Sequence, residues 1–192
     1  MKYVYSLLAI AIVAITITDA SLAQTRKGFE VGIGPGLLVA SGDGESDSGF
    51  GAHLTLGYGI GERFTIGING AAGIISDDEV DDDITASVGG IFGRLYFSSP
   101  EKQGRPYFTF GGGQGRFEAE IEGVSVEVSG PSGMIGAGFD YMRAGSKLGF
   151  YGELNYNVVN FDEVSVGGFT VNGLDIDIDY IVFAAGLRFR LQ

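Results

Sequence analysis

Six charged residues sit where alternating segments would turn them toward a common interior: Glu30, Arg94, Asp140, Glu153, Arg188 and Arg190. The last segment shows why. Ile181, Phe183, Ala185, Leu187, Phe189 and Leu191 share one parity, and Val182, Ala184, Gly186, Arg188 and Arg190 share the other. Successive side chains of an extended strand point to opposite faces, so both arginines leave the apolar face. The same alternation turns Glu30, Asp140 and Glu153 inward. Arg94 lies in a segment with aromatics on both faces. Arginine directed at hydrocarbon costs about 2–4 kcal/mol near a bilayer midplane, which assigns Ile91, Leu95 and Phe97 outward and Arg94 with Tyr96 inward. Three carboxylates and three guanidiniums on one interior can pair and fill a narrow lumen. The competing chemistry is an ion path or gate. Closure of a sheet would make the first, seventh and eighth segments neighbours, so Glu153 is expected to pair with Arg188 or Arg190, with Glu30 completing the cluster.

Most of the 24 acidic residues fall in connectors. Asp77, Asp78, Asp81, Asp82 and Asp83 crowd one of them, and Asp175, Asp177 and Asp179 alternate in another. Carboxylate oxygens suit calcium and magnesium, so these eight are candidate ligands for weak divalent-cation binding. The pattern lacks the glycine and distal glutamate of an EF-hand loop, and charge runs are more commonly solvated faces. His53, the single histidine, is expected to face the lumen with Thr55. A lipid hydrolase would need a histidine, a hydroxyl nucleophile and a carboxylate in contact. No orienting carboxylate is evident in the sequence, so a lumen histidine in a polar network is the better reading. The strings Gly111-Gly-Gly-Gln-Gly115 and Gly32-x-Gly34-x-Gly36 lack the lysine and helix of a phosphate loop. No catalytic residue, cofactor site or firm metal site emerges, and the chain reads as non-enzymatic.

The elements that must position these residues are short strands. Alternating segments fall near 28–40, 49–60, 63–75, 84–97, 106–121, 124–141, 148–160 and 174–191. Each is long enough for the roughly 9–11 residues that a tilted strand needs to cross hydrocarbon. Long acidic connectors alternate with short, often basic ones, the habit of extracellular loops and periplasmic turns. Glu122-Gly123 predicts a two-residue turn pairing Ile121 with Val124, Ala119 with Val126 and Phe117 with Val128. Two reversal signals compete before the last strand, Asn172-Gly173 and Gly167-Gly168, the first being the stronger type I′ signal. Pro35 removes a ladder donor and calls for a bulge in the first strand. Outward parity in the sixth strand shifts between Val128 and Ile135, and Gly130-Pro131-Ser132-Gly133 is the place for a second bulge.

Residues 1–23 read as a signal peptide, with Lys2 basic, 3–17 apolar and Ser21-Leu22-Ala23 as a cleavage signal, which leaves 24–192 as the barrel domain. The 34 glycines suit tightly curved barrel walls, and the absence of cysteine excludes disulfides. A net charge of −12 argues against nucleic acid.

Two segments carry a resemblance. Gly136-Ala-Gly-Phe-Asp-Tyr141 is similar to a glycine-rich strand ending in an aromatic before a periplasmic turn, and Ala184-Ala-Gly-Leu-Arg-Phe189 to a closing strand. With the alternation throughout the mature chain, the sequence resembles the small outer-membrane β-barrels typified by the transmembrane domain of outer-membrane protein A and by outer-membrane protein X. The resemblance implies an all-β, eight-stranded antiparallel up-and-down transmembrane barrel in a bacterial outer membrane. Outer-membrane lipid and lipopolysaccharide would be its surroundings, with divalent cations as a further partner. The expected role is structural or surface-interacting, through the acidic loops. A small pore and a soluble barrel binding an apolar ligand are the alternatives.

Overall fold

A computed structural model describes residues 27–42, 45–75, 84–121 and 123–191. The expected signal peptide and the acids Asp77, Asp78, Asp81, Asp82 and Asp83 lie outside them. Eight strands form one closed antiparallel barrel in chain order: β1 (Gly28–Gly42), β2 (Glu45–Gly59), β3 (Phe64–Ile75), β4 (Ile84–Tyr96), β5 (Gly104–Ile121), β6 (Val124–Met142), β7 (Leu148–Val166) and β8 (Phe169–Leu191). Closure comes from β1 and β8, where Glu30 pairs with Arg190 and Val39 with Ile181 in register. With the edges joined, every strand of the wall has partners on both sides.

Alternation does what the sequence requires of it. Phe29, Ile33, Phe50, Leu54, Ile66, Ile91, Ile135, Leu154, Phe183 and Leu191 all project outward from the wall. Phe50 keeps 80% of its surface exposed, a placement that water would oppose and that hydrocarbon favours. This rules out the soluble-barrel alternative, whose apolar side chains would point inward. Short turns at 60–63, 97–103 and 143–147 close the end that also carries Gly28 and Leu191, here called the turn end. Long strand pairs reach the other, hairpin end.

At the hairpin end β5 to β8 outrun the wall. Ile121 pairs with Val124 across the tight turn at Gly123, whose φ is 79°, as Glu122-Gly123 predicts. The last reversal falls at Gly167-Gly168, with φ of 55° and 88°, and not at Asn172-Gly173. Val126 of β6 pairs with Val166, and Val166 with Phe169, so sheet pairing reverses the chain before it reaches the stronger local signal. Asn172-Gly173 becomes an irregularity inside β8: Phe161 pairs with Ile176 and Glu163 with Asn172, and Gly173 absorbs the extra residues at φ 95°. β7 and β8 are both longer than predicted for this reason.

Two further expectations change. Pro35 needs no bulge. Ile33–Leu187 and Gly36–Ala184 keep one register, and the ladder to β8 lapses only at Gly34 and Pro35. Gly34 lies against the Ala185 carbonyl, leaving no room for a Cβ there. In β6 the parity does not shift, because Val126 and Val128 turn inward with Met134, Asp140 and Met142. A register shift does occur at Gly130-Pro131, but between β6 and β7 only.

Candidate functional site

The lumen has two layers. Toward the hairpin end it is apolar: Leu38 and Ala86 from the wall pack with Val159, Phe161, Tyr180 and Val182. Phe117 lies over Tyr180 with ring centroids 5.0 Å apart and over Phe161 at 5.4 Å. Toward the turn end it is charged, and here the six residues singled out by parity meet, all of them buried.

They form a closed ring of alternating sign. Arg94 of β4 reaches across the lumen, its Nη1 donating to Glu30 Oε1 at 2.6 Å and its Nη2 to Glu153 Oε2 at 3.0 Å. Glu153 Oε2 lies 3.9 Å from Arg188 Nη2. Arg188 Nη1 donates to Asp140 Oδ1. Asp140 Oδ2 is 3.5 Å from Arg190 Nη2, and Arg190 Nε is 3.5 Å from Glu30 Oε2, which completes the circuit. Three carboxylates and three guanidiniums leave the ring formally neutral. The expected pairing of Glu153 with Arg188 or Arg190 is thus only secondary: the short bond of Glu153 goes to Arg94, and Arg190 serves Glu30 and Asp140 instead.

Tyrosines and an asparagine occupy the remaining acceptor positions. Tyr107 donates to Glu153 Oε2 at 2.6 Å, Asn155 Nδ2 to Glu153 Oε1 at 2.6 Å, and Tyr96 to Asp140 Oδ2 at 2.7 Å. The guanidiniums lie over aromatic faces, Arg94 at 4.6 Å from Tyr107 and Arg188 at 4.6 Å from Tyr151, positions that favour a cation over a ring quadrupole. Gly138 makes this possible: a Cβ there would collide with the Tyr107 hydroxyl. Burial of so many charges is tolerable only because nearly every carboxylate oxygen finds a donor.

Arg105 escapes the parity reading, which began the fifth strand two residues too late. It is buried below the ring, donating from Nη2 to the carbonyls of Glu62 at 2.7 Å and Ser98 at 2.9 Å, with Tyr96 beneath it at 4.1 Å. It ties two turns to the barrel base. The signal that marks it is the inward parity it shares with Tyr107 and Thr109.

His53 and Thr55 face the lumen as expected, both buried. His53 Nδ1 lies 3.1 Å from the Tyr151 hydroxyl, and its Nε2 is 4.0 Å from Glu153 Oε1. A carboxylate is therefore nearby, contrary to the sequence reading, but Arg94 and Tyr107 already hold it. Thr55 Oγ1 has no hydrogen-bond partner, so no nucleophile–base pair forms. On the outer rim, Asp177 accepts from Asn160 Nδ2 at 2.9 Å, and Glu127 pairs with Arg116 at 3.1 Å. Asp179 sits on the same strand face as Asp177, and the Asp175 side chain lies outside the described residues. Among the described residues no three His, Cys, Asp or Glu side chains converge as a metal site.

Similar folds occur among solved structures. Neisserial surface protein A shares the fold with a TM-score of 0.68 at 16% identity, over 85% of this chain and 97% of that one. The attachment invasion locus protein Ail of Yersinia pestis aligns at 0.54 and 19% identity, over 85% and 99%. The N-terminal barrel domain of Pseudomonas aeruginosa OprF aligns at 0.50 and 14% identity, over 86% and 100%. No curated protein sequence matches the chain. The profile described as outer membrane protein beta-barrel domain matches residues 6–189. With a closed eight-stranded barrel, an apolar outer wall and that match over nearly its whole length, the chain belongs to the outer membrane protein beta-barrel domain family, and its place is the bacterial outer membrane.

Proposed function

We propose that the chain is a non-enzymatic surface-interaction protein: a plugged barrel that acts through the four-stranded sheet rising past its wall. The observation that carries this is the free edge of β8. Its ladder with β7 runs up to Phe169, whereas its ladder with β1 stops at Asp179. Among the described residues, the stretch 169–178 therefore presents one row of unpaired backbone groups. An extended segment of a partner can add to such an edge, with backbone bonds supplying affinity and side chains specificity. Phe169 and Val171, 83% and 61% exposed, supply apolar grip beside it. Asp177 and Asp179 favour a basic partner. The relative Ail has been crystallised with the heparin analogue sucrose octasulfate, a polyanion. A net charge of −12 directs this chain toward the opposite sign.

An even strand number and long acidic connectors support hairpins outside and both barrel ends of the chain in the periplasm, after export by a signal peptide spanning 1–23. Outer-membrane lipid and lipopolysaccharide cover the apolar wall, and divalent cations bridge the acidic rim to lipid phosphate. The lumen acts as a plug, not a small pore, because the charged ring and the apolar layer lie in series along it.

The chain has no cysteine, so one introduced thiol is unique. On intact cells a membrane-impermeant maleimide is expected to label Thr170→Cys and to spare Lys102→Cys; the reverse pattern would invert the orientation. Replacing 164–171 by a two-residue turn is expected to abolish adhesion of expressing cells while the barrel keeps its heat-modifiable mobility on gels. Undiminished adhesion would remove the sheet from the account.

A further inference from the structure

At the hairpin end the apolar layer does not fill the lumen to its mouth. A basin of about 440 Å³ opens above it, walled by Ile75, Ile84, Phe117, Val128 and Ile178. These side chains point inward by strand parity, so lipid does not reach them. Ile75 is buried in the apolar layer, and Ile84, Phe117, Val128 and Ile178 are half-buried against it, so among the described residues part of their surface stays open, where apolar surface is unfavourable unless something covers it. Concave apolar walls at the mouth of a barrel are where small ligands bind. One charged residue joins the lining, Asp47, inward by parity in β2 and exposed to solvent. Among the described residues no lysine, arginine or histidine lines the basin.

We infer that this basin binds a small cationic amphiphile, with its apolar body against Phe117 and Val128 and its ammonium head at the Asp47 carboxylate. The argument is charge complementarity on an apolar cavity. A neutral apolar molecule would gain the burial but leave Asp47 without a counter-charge. An anion would meet Asp47 in a chain of net charge −12. A cation gains both terms. Asp47 is exposed, so the charge contributes selectivity while the apolar wall contributes most of the affinity. The inference adds a ligand class to the surface role proposed above but does not depend on which end faces outward, because it is tested with both ends accessible.

The test uses the full barrel in zwitterionic lipid nanodiscs and three probes with one apolar body: adamantane amine, adamantanol and adamantane carboxylate. Binding is followed by titration calorimetry against empty nanodiscs. The expected order is amine, then alcohol, then carboxylate, with the amine about fivefold tighter than the alcohol, the scale of an exposed ion pair. Asp47→Asn is expected to bring the amine to the alcohol's affinity and leave the alcohol unchanged. Ala119→Phe, which fills the basin from its wall, is expected to remove saturable binding of all three. Retained heat-modifiable mobility shows that each variant is folded. Equal affinity for amine and carboxylate would overturn the charge assignment. No saturable binding beyond empty nanodiscs, or binding untouched by Ala119→Phe, would overturn the site. The adhesion assay is read separately, so either result can fail without the other.

Discussion

In the turn half of the lumen each charged side chain depends on two or three named partners; in the hairpin half each apolar side chain rests on many. The difference sets how each half responds to damage. Removing Arg94 leaves Glu30 and Glu153 with their shared cation gone, an uncompensated charge among buried side chains. Removing a methyl group from the apolar layer leaves a cavity, and neighbours relax toward it in part. A buried ion-pair ring is weak evidence of net stability, since desolvation offsets much of the Coulomb gain. The ring also bears on register: a one-residue slip of β8 would turn Arg188 and Arg190 to the lipid face.

The sharpest way to break this comparison is Arg94→Ala. It is expected to destabilise the folded barrel by about 3–5 kcal/mol, read from urea unfolding in phospholipid vesicles. A loss below about 1 kcal/mol would mean that water already enters the ring. Leu38→Ala, in the apolar half, should cost about 2–4 kcal/mol in the same assay, scaling with the cavity that remains. Adding a small apolar gas such as xenon should recover part of this loss for Leu38→Ala and none of it for Arg94→Ala.

A finer test separates partners within the ring. Double-mutant cycles should give Glu153 and Arg94 a coupling of about 2 kcal/mol, and Glu153 and Arg188 well under that, since a 3.0 Å contact competes with one of 3.9 Å. Equal couplings would show that the ring acts as a unit and not as pairs. The smallest effect belongs to the rim. If the acids Asp77, Asp78, Asp81, Asp82, Asp83, Asp175, Asp177 and Asp179 take up calcium with a Kd of about 1 mM, calcium at that concentration stabilises the barrel by about 0.4 kcal/mol. Thermal unfolding in detergent at constant ionic strength reads this, and an unmoved midpoint leaves the rim as a solvated surface.

The strands, their number and the facing of most of their side chains were legible because a period of two is local. Whether Arg188 or Leu187 points inward follows from the neighbours in sequence alone. Arg94 was placed inward by the cost of arginine in lipid, another property of a single residue. The partners were not legible. Which carboxylate Arg94 meets depends on β4 lying across the lumen from β1 and β7, a product of closure and stagger that no segment encodes by itself. The reversal at Gly167-Gly168 was likewise decided by β6 holding β7 up to Val166, against the stronger turn signal at Asn172-Gly173. The apolar half of the lumen was hidden for a different reason. Val128 and Phe161 turn inward, and inside the apolar layer or out in lipid such side chains meet the same kind of environment. Alternation along the sequence therefore determined that this chain is a lipid-embedded barrel with charges inside; only the closed structure decided which charges touch and where the interior turns apolar.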